Sequence, residues 1–196
     1  AIALYEWDFD DDGTYDTSLL QWNHIGAMGR DSYARVVRKG YLFPFGFKAA
    51  LVTVTERRRF ARDLGHDHEL AAALWASGVH EARLLASLVD EPAMVSEAQM
   101  EAWVADLDSW DVCDGVCANL FDRTPFALDK AVEWSSREPE FEKRAAFALM
   151  ASAAVHRKDL PDAAFASLLP VIRAQAIDER NYVKKAVSWA LRQIGK

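Results

Sequence analysis

From residue 67 onward, apolar side chains recur at the three- and four-residue intervals of helices that bury one stripe and wet the other. "HDHELAAALWASG" opens with Asp67 as an N-cap and stops at Gly78; "VHEARLLASLVD" follows and is closed by Pro92. "SEAQMEAWVADLD" has Ser96 as its cap, "SWDVCDGVCANLF" has Ser109, and "TPFALDKAVEWSSR" sets Pro125 at a first helical position. "EPEFEKRAAFALMASAAVHR" is the longest periodic stretch, and "LPDAAFASLLPVIRAQA" and "DERNYVKKAVSWALRQIG" bring the total to about eight helices. Short connections make neighbours antiparallel. Pairs at 67–89, 96–121, 126–156 and 162–194 therefore predict an α-α solenoid, in which stacking covers faces that no single helix could bury.

Up to about Phe60 the pattern is different. "YARVVRKGYLFPFGFKAALVTVTERR" is rich in β-branched and aromatic residues and is broken by Gly40, Pro44 and Gly46. It predicts two or three strands with a turn near "FPFG". The expected fold class is mainly α, with a small β-like segment over 1–60 and a helical domain over 61–196.

Composition adds limits. With 51% hydrophobic and 27% charged residues in 196, the chain falls in the globular range and outside that of disordered chains. No apolar run approaches the roughly 20 residues of a membrane helix, and residues 1–17 lack a secretory pattern, so no membrane partner is expected. Cys113 and Cys117, the only cysteines, are spaced i, i+4; this suits two small apolar groups on one helix face better than a disulfide, and a reducing cytoplasm is the expected location. The net charge of −7 argues against a nucleic-acid partner until its distribution is read. Residues 61–142 hold 5 basic against 18 acidic side chains, whereas residues 143–196 hold 10 basic against 4 acidic, so the last third is the part suited to phosphates.

Three stretches could carry chemistry. Asp8, Asp10, Asp12 and Gly13 have calcium-loop spacing, but Leu19 stands where an EF-hand needs a bidentate Glu, and no metal is expected. "YEWDFDDDGTYD", residues 5–16, resembles the Trp-Asp-Phe signature of a PKD-type β-sandwich repeat, in a stretch too short to hold a sandwich. Residues 20–59 resemble a segment of large bacterial proteins and imply no function.

In "DSWDVCDGVC", residues 108–117, a helix beginning at Ser109 or Trp110 puts Trp110, Asp114 and Cys117 on one stripe. Asp108 and Asp111 then belong to the first turn, where carboxylates meet the positive end of the helix dipole. Asp114 is costly on that stripe unless it is paired or faces a cleft. A zinc site would need ligands beyond Cys113, Cys117 and Asp114, and the helix supplies none at standard spacing. In "DERNYVKKAVSWALRQIGK", Lys185, Trp189, Arg192 and Lys196 share a face at i, i+4, i+7 and i+11. That face suits a sugar–phosphate strand, and it also suits a core Trp flanked by Lys and Arg stems.

Taken together, "ELAAALWASGVHEARLLASLV", "DLDSWDVCD", "FEKRAAFAL" and "DERNYVKKAVSWALRQIGK" make residues 64–196 resemble the AlkD-like DNA alkylation repair glycosylases, solenoids of HEAT-like repeats. The resemblance implies excision of positively charged N3- or N7-alkylated purines from double-stranded DNA by a monomer that needs no cofactor. It makes Trp110 the aromatic and Asp114 the catalytic carboxylate, Arg144 the basic residue beside the lesion and Trp189 a second aromatic wall. Arg192 and Lys196, with Lys184 or Lys185, would contact the DNA backbone. The family normally begins with further helices whose place is taken here by the β-like residues 1–60, and a solenoid that lacks its first repeats exposes an apolar end. A non-catalytic scaffold binding DNA or protein through the same groove is the alternative. Either reading requires the carboxylates of 61–142 to point mostly away from that groove.

Overall fold

The structure is a computed structural model that describes residues 54–196. The calcium-loop spacing, the PKD-like stretch and the strand pattern up to residue 53 lie outside the described residues. The first described element is helix α1 (Val54–Leu64), which corrects the strand expected there and carries helix across the boundary drawn at residue 60. The β-branched residues at its start suggest a strand, but Phe60, 1% exposed, and Ala61 enter the core, and Leu64 packs against it. Tertiary burial on a helical stripe outweighs the local propensity of the first turn.

Helices α2 (His68–Ala76) and α3 (His80–Val89) form the first hairpin. Asp67 caps α2 by accepting from the Leu70 amide at 2.9 Å, and Gly78 takes the left-handed φ of 70° that the turn between the helices requires. Helix α4 (Glu97–Ala105) is capped by Ser96, whose hydroxyl accepts from the Gln99 amide at 3.1 Å. Next come α5 (Trp110–Asn119), a 3₁₀ turn (Phe121–Arg123), α6 (Ala127–Trp134) and α7 (Glu140–His156). Pro125 lies before α6, whose N-cap is Phe126, rather than at its first position. The stretch read as one helix near 160–176 is two short ones, α8 (Asp162–Ala166) and α9 (Leu169–Ala174), with Pro170 in the first turn of the second. Helix α10 (Asn181–Ile194) is the last described element.

The packing is that of a HEAT-like solenoid. Helices α1, α3, α5, α7 and α10 lie side by side in one row, each against the next, while α2 backs α3, α6 backs α7 and α9 backs α10. Helix α7 is buried continuously from Lys143 to Ala154, because α5, α6 and α10 surround it. Its small residues allow this: six alanines from Ala145 to Ala154 let the neighbouring backbones approach. An aromatic ladder ties the backing helices together. Trp75 stacks on Trp103 at 4.0 Å with rings 4° from parallel, Trp103 lies 6.2 Å from Phe121, and Phe121 lies 6.2 Å from Trp134. Each such pair adds about 0.5–1.5 kcal/mol beyond its buried area. Trp75 donates to Asp106 and Trp134 to Glu101, both at 2.9 Å, so neither buried indole N–H lacks a partner.

Candidate nucleic-acid interface on the row of helices

Helix α5 begins at an N-cap, Ser109, whose hydroxyl makes no capping bond and is buried without a partner, contrary to the cap expected of it. The turn begins with Trp110, which is 53% exposed, an unusual position for an indole in a chain that buries three others almost completely. Asp111 occupies the first turn and pairs with His80 of α3, Oδ2 to Nε2, at 2.8 Å. On the side facing α7, Cys113 and Cys117 are fully buried and donate weak S–H bonds to the carbonyls of Phe141 and Ala145, both at 3.6 Å. Burial pushes the Cys117 thiol well above its ordinary range, and neighbouring Cys113 reinforces the effect, so it stays a protonated packing group.

Asp114, one turn beyond Trp110, meets Arg144 of α7. The guanidinium donates Nε to Oδ1 at 2.9 Å and Nη2 to Oδ2 at 2.7 Å, a two-pronged fork that fixes the plane of the carboxylate. Nη1 of the same arginine donates to the Tyr182 carbonyl at 2.7 Å, and its Cζ lies 5.9 Å from the centre of the Tyr182 ring. That ring packs on Phe141 at 5.3 Å. Burial raises the Asp114 carboxyl above the ordinary carboxylate value; the hydrogen bonds and charge of Arg144 pull it back, and the negative charge of Asp111 adds to the rise. A carboxylate offers about four lone-pair sites and the fork uses two, so Asp114, with its side chain 23% exposed, retains accepting capacity toward solvent.

Of the residues singled out in the sequence, Asp114 and Arg144 are brought into direct contact. Trp110 and Trp189 stand on α5 and α10, the two helices flanking the α7 that carries Arg144. Trp189 is half-buried and packs on the core. Lys184, Lys185, Arg192 and Lys196 are exposed, and no carboxylate lies within ion-pair distance of any of them among the described residues. Tyr182 was missed. Its place seven residues before Trp189 and three before Lys185 puts it on the same face of α10, and that spacing was the available signal.

The acids of 61–142 are largely engaged elsewhere. Lys130 of α6 reaches Glu97 at 2.7 Å, Glu101 at 2.8 Å and Glu133 at 2.7 Å, and Arg137 joins Glu101, Glu133 and Glu142. Burial alone would raise the Glu101 carboxyl, yet hydrogen bonds from Lys130, Trp134 and Arg137 outweigh it and hold the group at about 2. Among the described residues no three His, Cys, Asp or Glu side chains gather as a metal site. Nor is any described helix long and apolar enough to cross a membrane.

Comparison with known proteins gives this geometry a family. The family described as DNA alkylation repair enzyme matches residues 41–196, and the chain belongs to it. A solved structure described as a new family of proteins related to the HEAT-like repeat DNA glycosylases with affinity for branched DNA structures shares the fold, with a TM-score of 0.66 at 20% sequence identity. The superposition covers 88% of this chain and 73% of that one. No curated protein matches. The match from residue 41 begins well before the residue 61 at which the helical domain was expected to start.

Proposed function

We propose that this protein is a DNA glycosylase that hydrolyses the N-glycosidic bond of N3- or N7-alkylated purines in duplex DNA. The observation that carries the reading is the Asp114–Arg144 fork placed one helical turn from a half-exposed Trp110. Alkylation gives such a purine a formal positive charge, so it leaves with the bonding electron pair as a neutral base and needs little protonation. The barrier is the positive charge that develops on the sugar. A carboxylate already oriented by two hydrogen bonds stabilises that charge without reorganising, and the faces of Trp110 and Trp189 favour a cation beside them. Water then bonds to the anomeric carbon and gives up its proton to Asp114 or to solvent. Arg144 serves this chemistry indirectly, opposing with its hydrogen bonds and charge the rise that burial gives the Asp114 carboxyl. The exposed Lys184, Lys185 and Arg192 of α10, with Lys196 just past its end, supply phosphate contacts.

The test is release of 7-methylguanine from a defined duplex. Wild type should release base, and Asp114→Asn should lose about 10²–10³ in rate, the usual cost of removing a preorganised electrostatic group. No release from the folded wild type would rule out the reading.

A second reading, recognition of DNA structure without excision, is favoured by one observation: both Asp114 oxygens are already held by Arg144. The solved relative is described by affinity for branched DNA. Binding of a four-way junction by a wild type that releases no base would select this reading.

A further inference from the structure

Residues 61–142 contain five basic side chains. Arg83 lies near Asp106 and Asp108, while Lys130 and Arg137 are each held by three carboxylates. The other two, Arg62 and Arg123, have no carboxylate within ion-pair distance among the described residues, and both line one cleft. Arg58, also without an ion pair among the described residues, is the third guanidinium there, one turn before Arg62 on α1. Like charges at i, i+4 repel, so α1 presents two cations side by side with no ion pair among the described residues to relieve them.

The cleft has a volume of about 520 Å³ and is floored by the C-terminal ends of α3 and α5, at Leu88, Asp90 and Asn119. Its one acid does not oppose an anion strongly. The Asp90 side chain is fully buried, pairs with His68 at 2.7 Å, and accepts from the Gln99 side chain at 2.7 Å and the Glu91 amide at 2.8 Å. The exposed charge among the residues that line the cleft is thus that of three guanidinium groups, of which Arg123 also donates to the Asn119 carbonyl; the exposed ring of His66 borders them, with the Glu91 carboxylate 4.0 Å from it. Helices α3 and α5 also carry His80, Trp110, Asp111 and Asp114 toward their other ends. From Asp114 to Asn119 is five residues, about 7.5 Å along the helix axis, which is about two nucleotide steps of a duplex strand, and about 140° around it, so that Asn119 turns to Ser87 of α3 while Asp114 turns to Arg144 of α7.

We propose that this cleft is a phosphate-binding site for the DNA strand that runs on from Trp110 and Asp114, with Arg58, Arg62 and Arg123 neutralising backbone phosphates a few nucleotides from the lesion. The proposal rests on the reading that the protein binds DNA. It is separate from the basic stripe of α10, which lies at the other end of the row of helices.

The test is equilibrium binding to a 25-base-pair duplex across a salt series, for wild type and for Arg58→Gln/Arg62→Gln/Arg123→Gln. The triple variant should bind at least about tenfold more weakly, and its slope of log K against log salt should be shallower by about 0.9 for each phosphate it no longer neutralises. A second measurement uses wild type alone. Neutral methylphosphonates placed two to four nucleotides from the lesion should weaken binding, while the same substitution at the duplex end should not. Wild-type affinity and slope in a folded triple variant, or indifference to methylphosphonates near the lesion, would overturn the proposal and leave DNA binding itself standing. Wild type that binds no DNA would overturn both. Inorganic phosphate that raises the melting temperature of wild type and not of the variant, with DNA affinity equal in the two, would assign the cleft to a small phosphate ligand and also overturn the proposal.

Discussion

Arg144→Met tests the central geometry, because it removes the guanidinium fork and keeps most of the stem. The Arg144 side chain is 8% exposed and that of Asp114 is 23%, so the carboxylate left behind has little water to replace its partner. Two charge-assisted bonds to Asp114 and one to the Tyr182 carbonyl disappear together. Removing one side of a buried pair costs about 3–5 kcal/mol, and the residual exposure of Asp114 puts the expectation near 3 kcal/mol. Asp114→Asn keeps an oxygen for Nε and turns an amide toward Nη2, for about 1–2 kcal/mol. The double variant has no orphaned carboxylate, so it should cost about 1–2 kcal/mol less than the sum. Urea midpoints at unchanged m measure all three. The rate of base release adds a second readout. Without Arg144, burial pushes the Asp114 carboxyl further up, so the acid limb of the rate profile should move to higher pH and alkaline buffer should restore part of the activity. Additivity within about 0.5 kcal/mol, or an acid limb that stays in place, would refute the reasoning.

Further outcomes follow from other parts of the molecule. Glu101 is held at about 2 in the folded state against an ordinary 4.5; a depressed carboxyl stabilises the fold above 4.5, and that contribution should vanish as pH falls toward 2. Urea midpoints between pH 6 and pH 2.5 should therefore fall less steeply in Glu101→Gln than in wild type. Gly78→Ala forces a side chain into a φ of 70° and should cost about 1–2 kcal/mol in the same assay, with Gly78→Asn costing less. Lys185→Gln and Arg192→Gln, both on the exposed face of α10, should leave stability unchanged and each flatten the salt dependence of duplex binding by about 0.9.

Much of the helical architecture was legible because its signals are local. Asp67, Ser96 and Gly78 mark boundaries through their own backbone amides and dihedral angles, and the structure uses each as its chemistry suggests. Ser109 shows the limit: the position is an N-cap, yet its hydroxyl turns inward and makes no bond, which only packing decides. Helix α1 was hidden for a related reason, since the β-branched residues before Phe60 describe local preference whereas the burial of Phe60 and Ala61 depends on a helix distant in sequence. At the site, the cost of an unpaired Asp114 on an apolar stripe correctly demanded a partner. The family resemblance named Arg144 as a basic residue beside the lesion; that it is the partner of Asp114, thirty residues away, is seen only in the folded chain. For Tyr182 the spacing placed it on the right face of α10, but its bond to Arg144 runs through its carbonyl, a group every residue has, and so had no signal of its own.

The placement of the tryptophans gives the protein an optical channel to its own surface. Trp75, Trp103 and Trp134 lie inside the ladder at 5% exposure or less, whereas Trp110 stands half in water on the face proposed to meet DNA. A collisional quencher such as acrylamide therefore reaches the ladder indoles last and Trp110 readily. A sugar or base laid over that ring would close the channel; because the sequence holds seven tryptophans and Trp189 is also half-buried on the proposed face, the protected emission that belongs to Trp110 is the part lost in Trp110→Phe.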